Sequence, residues 1–177
     1  MQLHKDVTRG LIGSMEEDAM VKRTSFEKAE CPIARSLDVL GDWWSLLIIR
    51  DAFVGIRRFG EFQKSIGLAK NILTVRLRAL VDHGILKTAP ASDGSAYQEY
   101  VLTPKGRGVF PVLVALRQWS EAFSCEDGGF KTLLVDRKRG RPVRKLEIRA
   151  EDGRLLADGD TELRPNPALK RRRRLSA

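Results

Sequence analysis

With 177 residues, the chain has room for one folded domain, or for one domain with an appendage. Its 42% hydrophobic content supplies a core and excludes disorder throughout, while no apolar run approaches the roughly 18 residues a membrane span requires. The net charge of +9 suits a polyanionic partner, but Lys170–Arg174 supplies five of those charges in one run, so charge alone does not define the partner.

Residues 1–25 show little apolar periodicity and read as a flexible leader, within which Met15, after Gly13 and Ser14, is a candidate start. Glu16, Glu17 and Asp18 interrupt this stretch and leave no apolar signal-peptide core, so a cytoplasmic chain is expected. Two cysteines, Cys31 and Cys125, are too few for a disulfide scaffold and fit the same reduced compartment.

From residue 26 to 124 the spacing is dense in helical signals, punctuated by Gly41, Gly55, Gly67, Gly84 and Gly106. A first helix is expected over Cys31–Leu40, with Pro32 in its opening turn. Asp42 is the expected N-cap of a second helix, Trp43–Phe53, that buries Trp44, Leu47, Ile48 and Phe53. Phe59, Phe62 and Ile66 define a third helix, and Leu73, Leu77, Leu80 and Val81 a fourth. Two amphipathic segments separated by Gly67 read as a helix-turn-helix. Strands are then expected at Ile85–Lys87 and Tyr97–Leu102 around the turn Ser92–Ser95, the layout of a wing. Thr103 and Pro104 open a last helix through Val112, Leu113, Leu116, Trp119 and Phe123, which Pro111 should bend or interrupt.

Beyond Ser124 the texture changes. Residues 125–160 carry short strand-like runs at 130–135, 143–148 and 155–157 and read as a small antiparallel β appendage; residues 161–177 read as a basic disordered tail. The expected class is therefore mainly α with a small β wing (α+β), a winged helix-turn-helix dimerising through its terminal helices.

Setting Leu73 at zero and advancing about 100° per residue places Leu77, Leu80 and Val81 on one apolar arc. Asn71, Thr74, Val75 and Arg78 face away from it, with Lys70 and Arg76 on the flanks. Arginine can read guanine, asparagine can read adenine, and threonine or valine can meet the thymine methyl, so this face fits a DNA major groove. Arg57, Arg58 and Lys64 are expected near the phosphate backbone, where they fix register without reading sequence. Asp93 and Glu99 make the wing acidic; either Ser92, Ser95 or backbone amides make its phosphate contacts, or the wing contributes little to binding. One recognition helix reads few base pairs, so a homodimer on a palindromic double-stranded operator is expected, through the stripe Val112, Leu116, Trp119 and Phe123.

Several segments also resemble the HxlR-type winged-helix transcriptional regulators, a family within the MarR-like superfamily. They are Cys31, Gly41–Asp51, Arg58–Phe62, Leu73–Leu77, Glu99–Arg107 and Leu116–Trp119, in that order along residues 31–123. The resemblance implies a cytoplasmic homodimeric regulator, most simply a repressor, that responds to reactive small molecules or redox state. It also makes Cys31, at a helix N-terminus near Lys28 and Arg35, the candidate sensor, with Cys125 as a candidate partner. The chain departs from the family pattern at Trp43, Ala69 and Val75, and in having no basic residue between Lys87 and Lys105.

His4 and His83 are too poorly accompanied for a metal site, and His83 reads as a cap at the end of the fourth helix. Trp43, Trp44 and Trp119 suit core or interface, with a ligand pocket beneath them as the other reading. No phosphate loop, paired metal ligands or nucleophile elbow is present, so neither an enzyme nor a cofactor is expected. The residues leave one alternative open, a basic RNA- or ribosome-associated winged-helix protein that uses the arginine run.

Overall fold

A computed structural model describes residues 25–124 and 129–167. Cys125, His4, Lys170–Arg174 and nearly all of the expected leader lie outside the described residues, as do the expectations attached to them. The chain divides into two compact units, residues 1–108 and 109–177.

In the first unit the order is α1 (Pro32–Leu40), α2 (Trp43–Phe53), α3 (Phe59–Ile66), α4 (Lys70–Asp82), β1 (Leu86–Pro90), β2 (Gln98–Leu102) and α5 (Pro104–Arg107). Asp42 caps α2 as its sequence position suggests: Oδ1 accepts from the amides of Trp44 at 2.8 Å and Ser45 at 3.2 Å. α2 packs against α1, α3, α4 and β2. That central position corrects one expectation, because Ser45, Ile48, Ile49 and Asp51 are its buried residues while Trp44, Leu47 and Phe53 are only half-buried. A helix with neighbours on several sides buries more than a single stripe.

α3 and α4 meet at Gly67, whose φ of 76° is left-handed and whose amide donates to the Gln63 carbonyl at 2.9 Å. Glycine takes this conformation without the steric cost a Cβ would bring, so the chain reverses in a short turn. Phe62, Leu73, Leu77 and Leu80 form the floor of the core with Ile48, Ile49, Ile85 and Leu86. The second strand pairs antiparallel with the first in the register Leu86↔Leu102 to Pro90↔Gln98. Its Tyr100 amide also donates to the Arg57 carbonyl at 2.8 Å, which ties the wing to the loop before α3.

Close approach fixes the base of the wing. A Cβ at Gly106 would lie 2.2 Å from the Ile85 carbonyl oxygen, a backbone atom, so only glycine lets α5 pass there. The Thr103 hydroxyl donates to the Gly84 carbonyl at 2.6 Å and accepts from the Gly106 amide at 3.1 Å. His83 is the C-cap residue of α4, but the cation that reaches the helix end is Lys105, whose Nζ donates to the His83 carbonyl at 2.7 Å.

The second unit begins with α6 (Phe110–Phe123). The expected single helix from Pro104 is thus two, and the interruption falls at Gly108 and Val109, before Pro111. Proline lies in the first turn of α6, where its missing donor costs nothing. After α6, residues 129–167 carry two isolated antiparallel bridges, Val135↔Pro142 and Arg149↔Leu155, and one 3₁₀ turn at Asp158–Asp160. Gln118 of α6 fastens this segment, donating to the Arg144 carbonyl at 3.0 Å and accepting from the Leu146 amide at 2.8 Å. Among the described residues no helix is long and apolar enough to cross a membrane.

Candidate nucleic-acid interface

α4 presents two chemically distinct faces. Leu73 and Leu77 are fully buried and Leu80 nearly so, which fixes the helix by its apolar arc. On the opposite side Asn71, Thr74, Val75 and Arg78 are exposed together, and Lys70 is exposed at the first turn. The structure therefore brings four of the expected reading residues and one flanking cation onto one surface. Ile72, which sequence reasoning passed over, is also exposed there. The Thr74 hydroxyl donates to the Lys70 carbonyl at 2.8 Å, one turn back along the exposed face.

Arg76 behaves differently. Its guanidinium is drawn off the flank of α4 onto Asp42, Nη2 to Oδ2 at 2.6 Å. One carboxylate therefore does two jobs: its Oδ1 caps α2 and its Oδ2 holds α4. Gly41, Asp42, Trp43, Trp44 and Arg76 edge an open depression of about 510 Å³, with the two indole rings edge to face at 6.0 Å.

The cations before α3 are also engaged. Glu61 Oε2 accepts from the amides of Arg58 at 3.1 Å and Arg57 at 3.2 Å, and these bonds hold its carboxyl below the ordinary glutamate range. The guanidinium groups of both arginines turn toward the wing. Arg57 Nη1 lies 3.5 Å from Glu99 Oε2, Arg58 Nε lies 3.8 Å from Glu99 Oε1, and Arg58 Nη2 pairs with Asp93 Oδ2.

Glu99 is the buried carboxylate of this group. Burial pushes its carboxyl up, but the Ser92 amide at 3.2 Å, the Ser92 hydroxyl at 3.0 Å and Arg57 outweigh that and hold it below the usual range. The amide and hydroxyl of the exposed Ser92 are consequently committed to Glu99. Ser95 is half-buried, and its amide donates to Asp93 Oδ1 at 3.0 Å. The Ser95 hydroxyl, the Arg58 guanidinium and the Ser95 amide hold Asp93 well below the carboxylate range. A carboxyl with a depressed folded pKa stabilises above its unfolded pKa and loses that contribution as pH falls through the folded value, so the wing's ion pairs are complete at neutral pH.

Lys64 is exposed on α3 and lines an open groove of about 580 Å³ with Arg58, Phe59, Gly60, Glu61, Tyr97 and Gln98. Cys31 is a free, exposed thiol at the N-cap of α1. On α6, Val112, Leu116, Trp119 and Phe123 are all exposed. Among the described residues no cluster of His, Cys, Asp and Glu could hold a metal ion.

A helix-turn-helix whose second helix is anchored by one face and bare on the other, followed by a two-stranded wing, defines a winged helix-turn-helix protein. The HxlR-like helix-turn-helix family model matches residues 39–127, and the chain belongs to that family. A crystal structure of PA1607, described as a candidate transcription factor, is 55% identical with a TM-score of 0.77, covering 81% of this chain and 100% of that one. A second such protein, PA1374 from Pseudomonas aeruginosa, is 43% identical with a TM-score of 0.55, covering 78% and 94%. An uncharacterised HTH-type transcriptional regulator of Mycobacterium tuberculosis, Rv3095, is 40% identical over 91 residues. That match takes in 51% of this chain, which spans 58% of the length of that relative.

Proposed function

We propose that the chain is a homodimeric, sequence-specific DNA-binding transcriptional regulator, acting as a repressor in the cytoplasm and reading a palindromic operator with α4. The observation that carries this reading is the bare face of α4, where Asn71, Thr74, Val75 and Arg78 stand together opposite a fully buried leucine arc. Asn71 and Arg78 supply hydrogen bonds to base edges, and Val75 and Thr74 supply methyl contacts. Lys64 and Lys70 hold phosphates, as do Arg57 and Arg58 when they release the wing, whereas the buried hydroxyl and bonded amide of Ser95 do not favour such a contact. Arg76 serves the fold through Asp42 more than it serves base reading. The four exposed apolar residues of α6 form the dimer surface. The curated relatives are named as regulators, which supports action by binding rather than by catalysis.

Selection of bound duplexes from a random pool should return an inverted repeat. On that operator, Arg78→Ala should weaken binding by about 10- to 100-fold and relax preference at one base pair in each half-site. An Arg78→Ala protein that binds every duplex as the unmodified chain does would remove α4 as the reading element.

Cys31 is the proposed sensor, since an electrophile or oxidant reaches an exposed free thiol. Methylglyoxal should add mass at Cys31, mild diamide should join Cys31 to a second thiol as a disulfide with loss of two hydrogens, and either should release the operator. Release that persists in Cys31→Ser would exclude the cysteine from the response.

A further inference from the structure

The two carboxylates that pair with the guanidinium groups of Arg57 and Arg58 are not equivalent. Glu99 has a side chain only 5% exposed and is bound by the Ser92 amide, the Ser92 hydroxyl and Arg57, so it belongs permanently to the wing. Asp93 sits at the turn tip with its side chain 52% exposed, and its Oδ2 holds Arg58, itself 36% exposed. The same guanidinium lies 6.0 Å from the centre of the Tyr97 ring and lines the groove that also carries Lys64. An anion, Asp93, is thus already bonded to the guanidinium that this groove presents, while the carboxylate that lines the groove itself, Glu61, is engaged by the Arg57 and Arg58 amides. Asp93 is bonded through Oδ1 to the Ser95 amide, so its Oδ2 can be replaced at Arg58 without dismantling the turn.

The geometry points to a phosphodiester-binding site formed by Arg58, Lys64 and Tyr97, in which Asp93 stands in for the phosphate until DNA displaces it. This rests on the DNA-binding reading above and adds a residue that opposes binding. Phosphate carries its full charge whatever the sequence, so the exchange lowers affinity for all duplexes alike and leaves discrimination to α4. Arg58 then closes on either anion: on Asp93 in the free chain, on the backbone in the complex.

The test is fluorescence anisotropy on the selected operator and on a scrambled duplex over a salt series, with a thermal melt of each variant. Asp93→Asn keeps an oxygen for the Ser95 amide and removes the charge; Asp93→Ser is the second variant, should the first fail to fold. Either should tighten binding about three- to fivefold on both duplexes with little change in salt slope. Arg58→Gln should weaken binding and reduce the slope of log K against log salt by about 0.9, one phosphate contact. Added to Arg58→Gln, the Asp93 change should do nothing. An equal gain with or without Arg58 would reveal a general field effect and overturn the proposal, as would no gain at all. An unmodified chain that binds no duplex overturns the DNA-binding reading itself, whereas one that binds while Asp93→Asn gains nothing overturns only the stand-in.

Discussion

Replacing Trp119 with aspartate is expected to turn the proposed dimer into monomers and to weaken binding to the proposed operator by about 100-fold or more. Val112, Leu116, Trp119 and Phe123 recur along one side of α6, and the last two are 60% and 76% exposed with their rings 6.0 Å apart. A single tryptophan buries about 150–250 Å² when covered, and central aromatic anchors dominate the energetics of interfaces. Aspartate at the same place removes that area and would bury an unpaired charge, which costs more than the lost contact. A monomer keeps one recognition helix and loses the second half-site about 34 Å away, so affinity for the inverted repeat falls while affinity for an isolated half-site stays. Sedimentation equilibrium and anisotropy on whole and half operators would check both parts. A variant that stays dimeric would place the interface elsewhere.

Phe62→Ala is expected to destabilise the first unit by about 3–5 kcal/mol. The ring is fully buried on α3 and meets Tyr100 of β2 edge to face, with centroids 6.4 Å apart. Its removal leaves a cavity where the helix-turn-helix and the wing share a wall. In a domain of this size the loss corresponds to a fall in Tm of about 15–30 °C. Differential scanning calorimetry would measure it, and operator binding should weaken even well below the new Tm because the wing loses its seat. A loss under about 1 kcal/mol would mean that the wall repacks, contrary to the close packing described here.

The elements that local chemistry writes were legible in the sequence. Asp42 before Trp43 marks the start of α2, and the leucine spacing of α4 marks both its buried arc and its bare face. Proline and glycine positions gave the turn at Gly67 and the entry to α5. What could not be read were partnerships between residues far apart in sequence. Arg58 and Asp93 are separated by 35 residues and Arg57 and Glu99 by 42, and no periodicity reports such pairings. The same limit concealed the burial of Glu99, since a glutamate in a wing strand is expected to face water. It concealed the hold of Asp42 on Arg76, because the cap was evident and the second oxygen was not. The boundary between α5 and α6 was misplaced for another reason: Pro111 suits an opening turn as readily as a break, and the tight approach of Gly106 to Ile85 arises only in the folded chain.

The double employment of Asp42 bears on how genetic data for this chain should be interpreted. A substitution there is expected to uncap α2 and free the Arg76 guanidinium in one event, loosening the hold on α4 without touching a base or a phosphate. In a screen for lost operator binding, Asp42 alleles would cluster with true contact alleles. Asp42 is already committed to the Trp44 and Ser45 amides and to Arg76, so its alleles report scaffold damage rather than a lost contact. Suppressors would then be sought at position 76, and altered operators would rescue contact mutants but not these.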